Sequence, residues 1–370
     1  MNQVEIGRGK RANRAYAFDD IFIAPSRRTR DDALVSTAWQ IDAYGFEAPI
    51  MTAPSDSVVS PATAVELGRL GILAVLPLEG LWTRHEDPTP GLERLAGLEG
   101  PKAGRALRAM FESPVRPDLV AERVRQISAA GVTTAAAVSP QHARELAPVA
   151  VAAGLDLLVI RGTTVSAEHV SAAGDPLNLK TFVADLDVPV VVGGCSTYQS
   201  ALHLMRTGAA GVLVGFGGGA AHRTATVLGI RVPMASAVAD VAEARRDYLD
   251  ESGGRYVHVI ADGSVGSSGD LVKAIACGAD AVMVGSALAR STQAPGGGWH
   301  WGPEAVHPTL QRGERVHLGT VGTFEEILTG PGNRADGTMN LVGALRRAMA
   351  TTGYRDLKEF QRVQINVRPS

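Results

Sequence analysis

The sequence predicts a (β/α)8 barrel, and three observations carry that prediction. Eight short apolar, often β-branched runs recur along the whole length, at residues 48–53, 72–76, 133–138, 155–160, 189–193, 211–215, 257–262 and 281–285. A parallel sheet covered on both faces requires such near-continuous apolar strands, because neither face is left to water. Most of the runs are followed by a helix-period segment, and eight strands alternating with helices favour a closed barrel. Composition is the third observation: 42 glycines with only 5% aromatic residues suit tight turns and close backbone-to-ligand approaches better than a β-sandwich.

Taken in order, the run APIMTA (48–53) leads into a helix over 61–71, and ILAVL (72–76) follows it. Residues 79–117 are longer and more polar than a βα loop needs, and are expected to form a short helical insertion. A helix over 118–131 leads to TTAAAV (133–138), and one over 142–154 leads to LDLLVI (155–160). PVVVG (189–193) precedes a helix over 198–208, GVLVG (211–215) one over 238–249, and VHVIAD (257–262) one over 270–278. Several of these helices end in glycine, a normal C-terminal stop. AVMVG (281–285) is the eighth run. After it, residues 291–337 hold GGG, three histidines and two tryptophans with little period, and are expected to rise over the catalytic face as a flap. An amphipathic stretch over 339–354 closes the barrel, so residues 1–370 read as a single domain.

Lys and Arg number 36 against 38 Asp and Glu, a formal charge of −2. No clustered basic footprint for nucleic acid or a membrane surface follows from that balance. The apolar stretches are broken by Pro or Gly well short of the ~20 residues a bilayer span needs. MNQVEIGRGKRANR lacks the apolar core of a secretion signal, and only Cys195 and Cys277 occur, so the expectation is a reduced, cytoplasmic protein.

In a barrel the ligand sits at the C-terminal ends of the strands. After the seventh run comes Asp262-Gly263-Ser264, and after the eighth Gly285-Ser286. Glycine lets backbone N–H groups converge on an anion there, and the next helix adds its positive end, so these loops predict a phosphate site; the alternative is a pair of tight turns. The sixth run enters Gly215-Phe216-Gly217-Gly218-Gly219-Ala220-Ala221-His222, which is not a Rossmann fingerprint. His222 is a general acid/base or a hydrogen-bonded loop histidine. Asp262 accepts hydrogen bonds from a ribose diol or serves as a turn or N-cap aspartate. Cys195, at the end of the fifth run, has no evident partner to lower its pKa and reads as filler; Cys277 reads as core. His300, His307 and His317 are not a zinc set, and no metal is expected.

These motifs resemble the IMP dehydrogenase/GMP reductase family over nearly the whole chain. Phe18-Asp19-Asp20-Ile21-Phe22-Ile23-Ala24-Pro25 is similar to the family's opening F-D-D-V-L-L-x-P. Residues 50–58 resemble its first strand and loop, with Thr52, Ala53 and Ser55 at substrate-facing positions. Residues 208–224 resemble its cysteine loop, with Gly217 and Gly219 on the substrate, while residues 260–263, 268–274 and 278–286 resemble its ribose and phosphate segments. The resemblance implies a purine-nucleotide barrel for IMP, GMP or XMP. Asp262 would hold the ribose, Gly263, Ser264, Gly285 and Ser286 the 5′-phosphate, and NAD or NADP would be the hydride partner. It also implies a tetramer or a pair of tetramers. Residues 79–117 are too few for the family's CBS regulatory module, which points to a short, module-less branch.

Four positions depart from the family. The cysteine that attacks the purine maps to His222, and a nearby phosphate-holding serine to Ala220. The aspartate for the nicotinamide ribose maps to Arg161, beside Gly162, and an asparagine maps to Cys195. Thr224 matches the threonine that handles the ammonia proton in reductases, with Glu314 as its candidate carboxylate. Two expectations follow. One is a purine-nucleotide-binding protein with impaired or absent catalysis that regulates or co-assembles with a catalytic IMP dehydrogenase. The other is an active NAD(P)-dependent oxidoreductase on IMP or GMP, using Cys195 or no nucleophile. An unrelated phosphate-binding barrel, such as a flavin oxidase, is a third possibility.

Overall fold

The computed structural model describes residues 3–172, 176–215 and 218–368. Eight parallel strands form one sheet: β1 (Ile50–Thr52), β2 (Val75–Pro77), β3 (Ala135–Val138), β4 (Leu157–Arg161), β5 (Val190–Cys195), β6 (Gly211–Val214), β7 (His258–Asp262) and β8 (Ala281–Val284). From β2 onward each pairs with the next, and β8 pairs with β1 through Met283 opposite Met51. The remaining seam, between β1 and β2, is closed by a parallel bridge between Met51 and Leu73. Leu73 N–H donates to the Ile50 carbonyl at 3.0 Å and Thr52 N–H to the Leu73 carbonyl at 2.9 Å. All eight runs read from the sequence are therefore barrel strands. Their residues are buried on both faces, as the absence of hydrophobic alternation requires.

The outer layer comprises α1 (Pro61–Arg69), α2 (Pro117–Ser128), α3 (Ala143–Ala152), α4 (Leu179–Ala184), α5 (Tyr198–Met205), α6 (Met234–Glu251), α7 (Ser268–Ala276) and α8 (Leu341–Thr351). Their starts are written in the sequence. Ser60, Thr197 and Ser267 each accept a backbone N–H of the first turn, at 3.1, 3.2 and 3.3 Å, each such cap contributing about 1 kcal/mol. On α6 the inward stripe Val238, Val241, Ala244 and Tyr248 is buried at helical spacing. No helix of the described residues is long and apolar enough to cross a membrane.

Residues 79–117 contain two helices, Thr89–Ala96 and Gly100–Met110. Their apolar faces (Leu92, Leu95, Ala103, Leu107) meet Trp301 and Ala305 from the segment after β8 in a small second core. The two stretches that break the βα alternation thus pack on each other above the barrel. Outside the barrel, Gln3–Gly7 and Lys10–Asn13 form an antiparallel hairpin, and Ile21–Ile23 pairs with Ile365–Val367. Neither was legible: these strands are largely exposed, so they carry no hydrophobic period.

Candidate active site

The C-terminal ends of β4 to β8 carry the singled-out residues to one mouth. Arg161 is the last residue of β4 and Asp262 the last of β7. Their side chains, 11% and 7% exposed, form an ion pair, with Arg161 Nε 2.9 Å from Asp262 Oδ2 and Nη2 3.4 Å from Oδ1. The Asp262 carboxylate is thus engaged by the Arg161 guanidinium. Burial works against the Arg161 charge, but the carboxylates of Asp262 and Glu304 outweigh it and hold the guanidinium above its ordinary value.

Glu304, from the segment after β8, extends this string of charges. Its Oε2 lies 3.5 Å from His222 Nε2, with the two side chains 7% and 11% exposed. Gly302 makes room: a Cβ there would lie 2.7 Å from Glu304 Oε2 and 3.5 Å from His222 Nε2. The His222 loop is stitched to the same segment, since Glu314 N–H donates to the Ala221 carbonyl at 2.9 Å and Arg223 N–H to the Arg312 carbonyl at 2.8 Å. His222 Nδ1 and Thr224 Oγ1 are buried without a hydrogen-bond partner. Glu314 itself lies at the surface, bonded to Arg223. The carboxylate brought to His222 is Glu304, which sequence reasoning missed because it stands in the least periodic part of the chain.

Cys195 is 1% exposed, and its Sγ–H lies 3.4 Å from the Leu213 carbonyl. Burial pushes its thiol up to about 12, so no thiolate is available there. Thr52 Oγ1 accepts from Val75 N–H at 2.8 Å and ties the barrel seam. Ser55 Oγ donates to the Trp301 carbonyl at 2.5 Å and lies 2.7 Å from Ser57 Oγ, and Ser57 Oγ in turn meets His300 Nδ1 at 2.8 Å. Ala53 packs beside Gly285, whose Cβ would meet the Ala53 Cβ at 3.0 Å and the His300 ring at 3.2 Å.

Three loops converge opposite this network. A Cβ on Gly218 would lie 2.6 Å from Ser264 Oγ, and one on Gly219 3.2 Å from Ser286 Oγ. Ala220 N–H donates to Ser286 Oγ at 3.2 Å. Gly263, at φ +114, and Ser264, at φ +57, turn the chain here; Gly217 lies outside the described residues. Just before α7, Asp270 Oδ2 accepts from the N–H groups of Gly266 and Ser267 at 3.2 and 3.0 Å, and Ser267 Oγ caps the helix by accepting from Asp270 N–H at 3.3 Å.

A cavity of about 240 Å³ opens on the far side of Arg161, between Gly162, Thr163, Glu79, Pro303 and Arg312. Asp56 lies in its wall, accepting from Leu81 N–H at 2.7 Å. Burial pushes its carboxyl up to about 7, against the pull of that N–H and of Arg84. A carboxyl raised on folding binds its proton more tightly in the folded than in the unfolded chain, so it contributes stability at low pH that is lost as the pH rises toward 7. Asp56→Asn is expected to gain on the wild type between pH 4 and 7, by on the order of 4 kcal/mol at most. Urea unfolding of both proteins across that range measures it, and a pH-independent difference would remove the buried-carboxyl assignment. His300 has the opposite sign: burial, with His222 adding to it, lowers it to about 4, so its contribution is lost as the pH falls below 6.5.

The fold and the order of these loops have known counterparts. A family model described as IMP dehydrogenase/GMP reductase domain matches residues 15–303. The chain belongs to the IMP dehydrogenase/GMP reductase family. The crystal structure of an IMP dehydrogenase/GMP reductase-like protein from Corynebacterium glutamicum superposes with a TM-score of 0.94 at 49% identity, over 99% of this chain and 98% of that one. A protein of Mycolicibacterium smegmatis named an uncharacterized oxidoreductase is 55% identical over 98% of this chain and 99% of its own length. The inosine-5′-monophosphate dehydrogenase of Methanocaldococcus jannaschii is 30% identical over 61% of this chain and 49% of its own length. The family binds purine nucleotides, and its oxidoreductases are NAD-dependent in general. At the mouth of this family member Arg161 is a cation engaged by Asp262, and Cys195 is buried with its thiol on the Leu213 carbonyl.

Proposed function

We propose that this protein is a purine-nucleotide-binding member of its family that does not perform the family's hydride transfer. The observation carrying this reading is the state of the two groups that would have to react. His222 stands at the nucleophile position, beside Glu304, and Cys195 is held as a neutral, buried thiol. Covalent attack needs a nucleophile that adds to the purine and later leaves. An imidazole adduct at carbon is cationic, and a thiol with a pKa near 12 contributes no useful thiolate near neutral pH.

Nucleotide binding rests on the loops that remain. The Ser264 and Ser286 hydroxyls lie under Gly218 and Gly219, where only glycine leaves space for an anion to approach the backbone. IMP, GMP or XMP is the ligand class. The protein acts in the cytoplasm as a tetramer or a pair of tetramers, and regulates or co-assembles with a catalytic relative.

The test is absorbance at the reduced-nicotinamide band with IMP plus NAD and with GMP plus NADPH, alongside calorimetric titration of each nucleotide. Saturable nucleotide binding without turnover is expected, and His222→Cys alone is expected not to restore turnover, because Arg161 still holds Asp262. Turnover by the unmodified protein would establish the oxidoreductase reading instead, and Cys195→Ser would then ask whether that thiol takes part.

A further inference from the structure

One concentration of positive charge lies far from the barrel mouth. Residues 26–30, Ser-Arg-Arg-Thr-Arg, and residues 352–362 border a groove of about 620 Å³. Arg27, Arg28, Arg30, Arg355 and Arg362 line it, with Glu359 as the one carboxylate. The groove lies at the closed end of the barrel. The neighbouring Gln361 amide donates to the Ala279 carbonyl at 2.8 Å and to Asp280 at 3.1 Å, just before β8 begins. Arg161 and Asp262 stand where β4 and β7 end, at the opposite end of the barrel.

This groove is built rather than accidental. Main-chain hydrogen bonds join its two walls: Ala24 N–H to the Gln364 carbonyl at 2.8 Å, Arg30 N–H to the Ala350 carbonyl at 2.9 Å, and Ser36 N–H to the Arg355 carbonyl at 2.8 Å. Gly353, at φ +82, brings the walls together, since a Cβ there would lie 2.7 Å from the Arg28 carbonyl oxygen. Arg30 is fixed by donating from Nε and Nη2 to the Gly353 carbonyl at 3.4 and 3.2 Å, so its orientation is set without neutralising its charge. Glu359 is taken by Arg355, with Nε 2.7 Å from Oε1. Among the described residues, Arg27, Arg28 and Arg362 have no carboxylate within salt-bridge distance. Tyr354 adds an aromatic wall, braced edge-on by Phe360 at 5.8 Å between ring centres.

Guanidinium groups present planar forks that match phosphate oxygens, and several on one concave surface sum to a potential that a single phosphate does not exhaust. The volume falls within the range of small-ligand sites, roughly 300–1,000 Å³, whereas a nucleic-acid footprint would run as a stripe along the surface. We propose that this groove binds a compact polyphosphate chain, either the tail of a nucleoside polyphosphate or the inorganic ion, at a site separate from the barrel mouth. Arg28, Arg362 and Arg30 would hold the phosphates, and Tyr354 would face the base where there is one. This inference does not rest on the function proposed above.

The experiment titrates the full-length protein with ATP, GTP and inorganic triphosphate by calorimetry, at low and at physiological salt. Arg28→Glu and Arg362→Glu are the variants; both residues are exposed, and thermal unfolding checks that they fold as the wild type does. One saturable site per chain is expected, weakened at least about tenfold in each variant and undiminished by saturating IMP. Equal affinity for the nucleotides and for triphosphate would assign the site to the phosphate chain alone. Tighter nucleotide binding, lowered to the triphosphate level by Tyr354→Ala, would assign the base to Tyr354. Absence of saturable binding by all three probes, binding unchanged in both variants, or displacement by IMP would overturn the proposal.

Discussion

Arg161→Ala is expected to cost the folded protein about 3–5 kcal/mol, the range found when one partner of a buried ion pair is removed. The magnitude follows from what is left behind. Asp262 is 5% exposed, its carboxylate bonds to the guanidinium through both oxygens, and the Glu304 carboxylate also acts on Arg161. Deleting the cation strands two buried carboxylates, which must then find water or take up protons. Urea unfolding should show the loss as a lower midpoint with an unchanged slope. Arg161→Lys should fall between, because a point charge replaces the fork but not its two-bond geometry. A cycle with Asp262→Asn should give a double variant less damaged than the sum of the singles, since each single leaves the other charge unpaired. A loss under about 1 kcal/mol would mean that the pair behaves as a surface salt bridge, and the site would then be open to water. The same substitution is expected to raise nucleotide affinity, because it releases the Asp262 carboxylate for a ribose diol. Stability and binding would then move in opposite directions, which a general disruption of the mouth would not produce.

That ion pair shows where sequence reading stopped. The eight strands were legible because a covered parallel strand advertises itself in a few consecutive residues, and ILAVL and LDLLVI carry the whole signal. Most of the helices were legible from their period and glycine stops. Arg161 and Asp262 were each singled out, but as separate departures from or matches to a family pattern. They are 101 residues apart, and nothing in either neighbourhood says that the end of β4 faces the end of β7 across the barrel. Glu304 was missed for a different reason. It stands in a segment without period, held by the space at Gly302, by the backbone bond from Arg312 N–H to its own carbonyl and by the Trp301 core, and none of these is a local signal.

Gly215→Ala is expected to destabilise the protein by about 3 kcal/mol or more, combining overpacking against backbone with a strained conformation. At the ends of β5, β6 and β7 the main chains are stacked without side chains between them. A Cβ on Gly194 would lie 2.0 Å from the Gly215 carbonyl oxygen, and a Cβ on Gly215 would lie 2.3 Å from the Asp262 carbonyl oxygen. A flexible side chain moves aside cheaply, but a strand carbonyl moves only with its strand. Gly215 also sits at φ +122, which an L side chain rarely adopts. Gly229 provides the comparison: it has φ +68 as the C-cap of the short helix Thr224–Leu228, and a Cβ there would meet nothing within 4 Å. Gly229→Ala should therefore cost only about 1 kcal/mol, the conformational part alone. Thermal or urea unfolding of the two variants separates space from backbone conformation, and equal losses would mean that the stacked strand ends yield. Because the main-chain oxygen that Gly215→Ala pushes belongs to Asp262, just before the Gly263–Ser264 turn, this variant should displace that loop and lose nucleotide binding out of proportion to its stability. Gly229→Ala, with nothing near its Cβ, should keep binding. The same close stacking brings the β4 and β7 ends near enough for Arg161 to reach across.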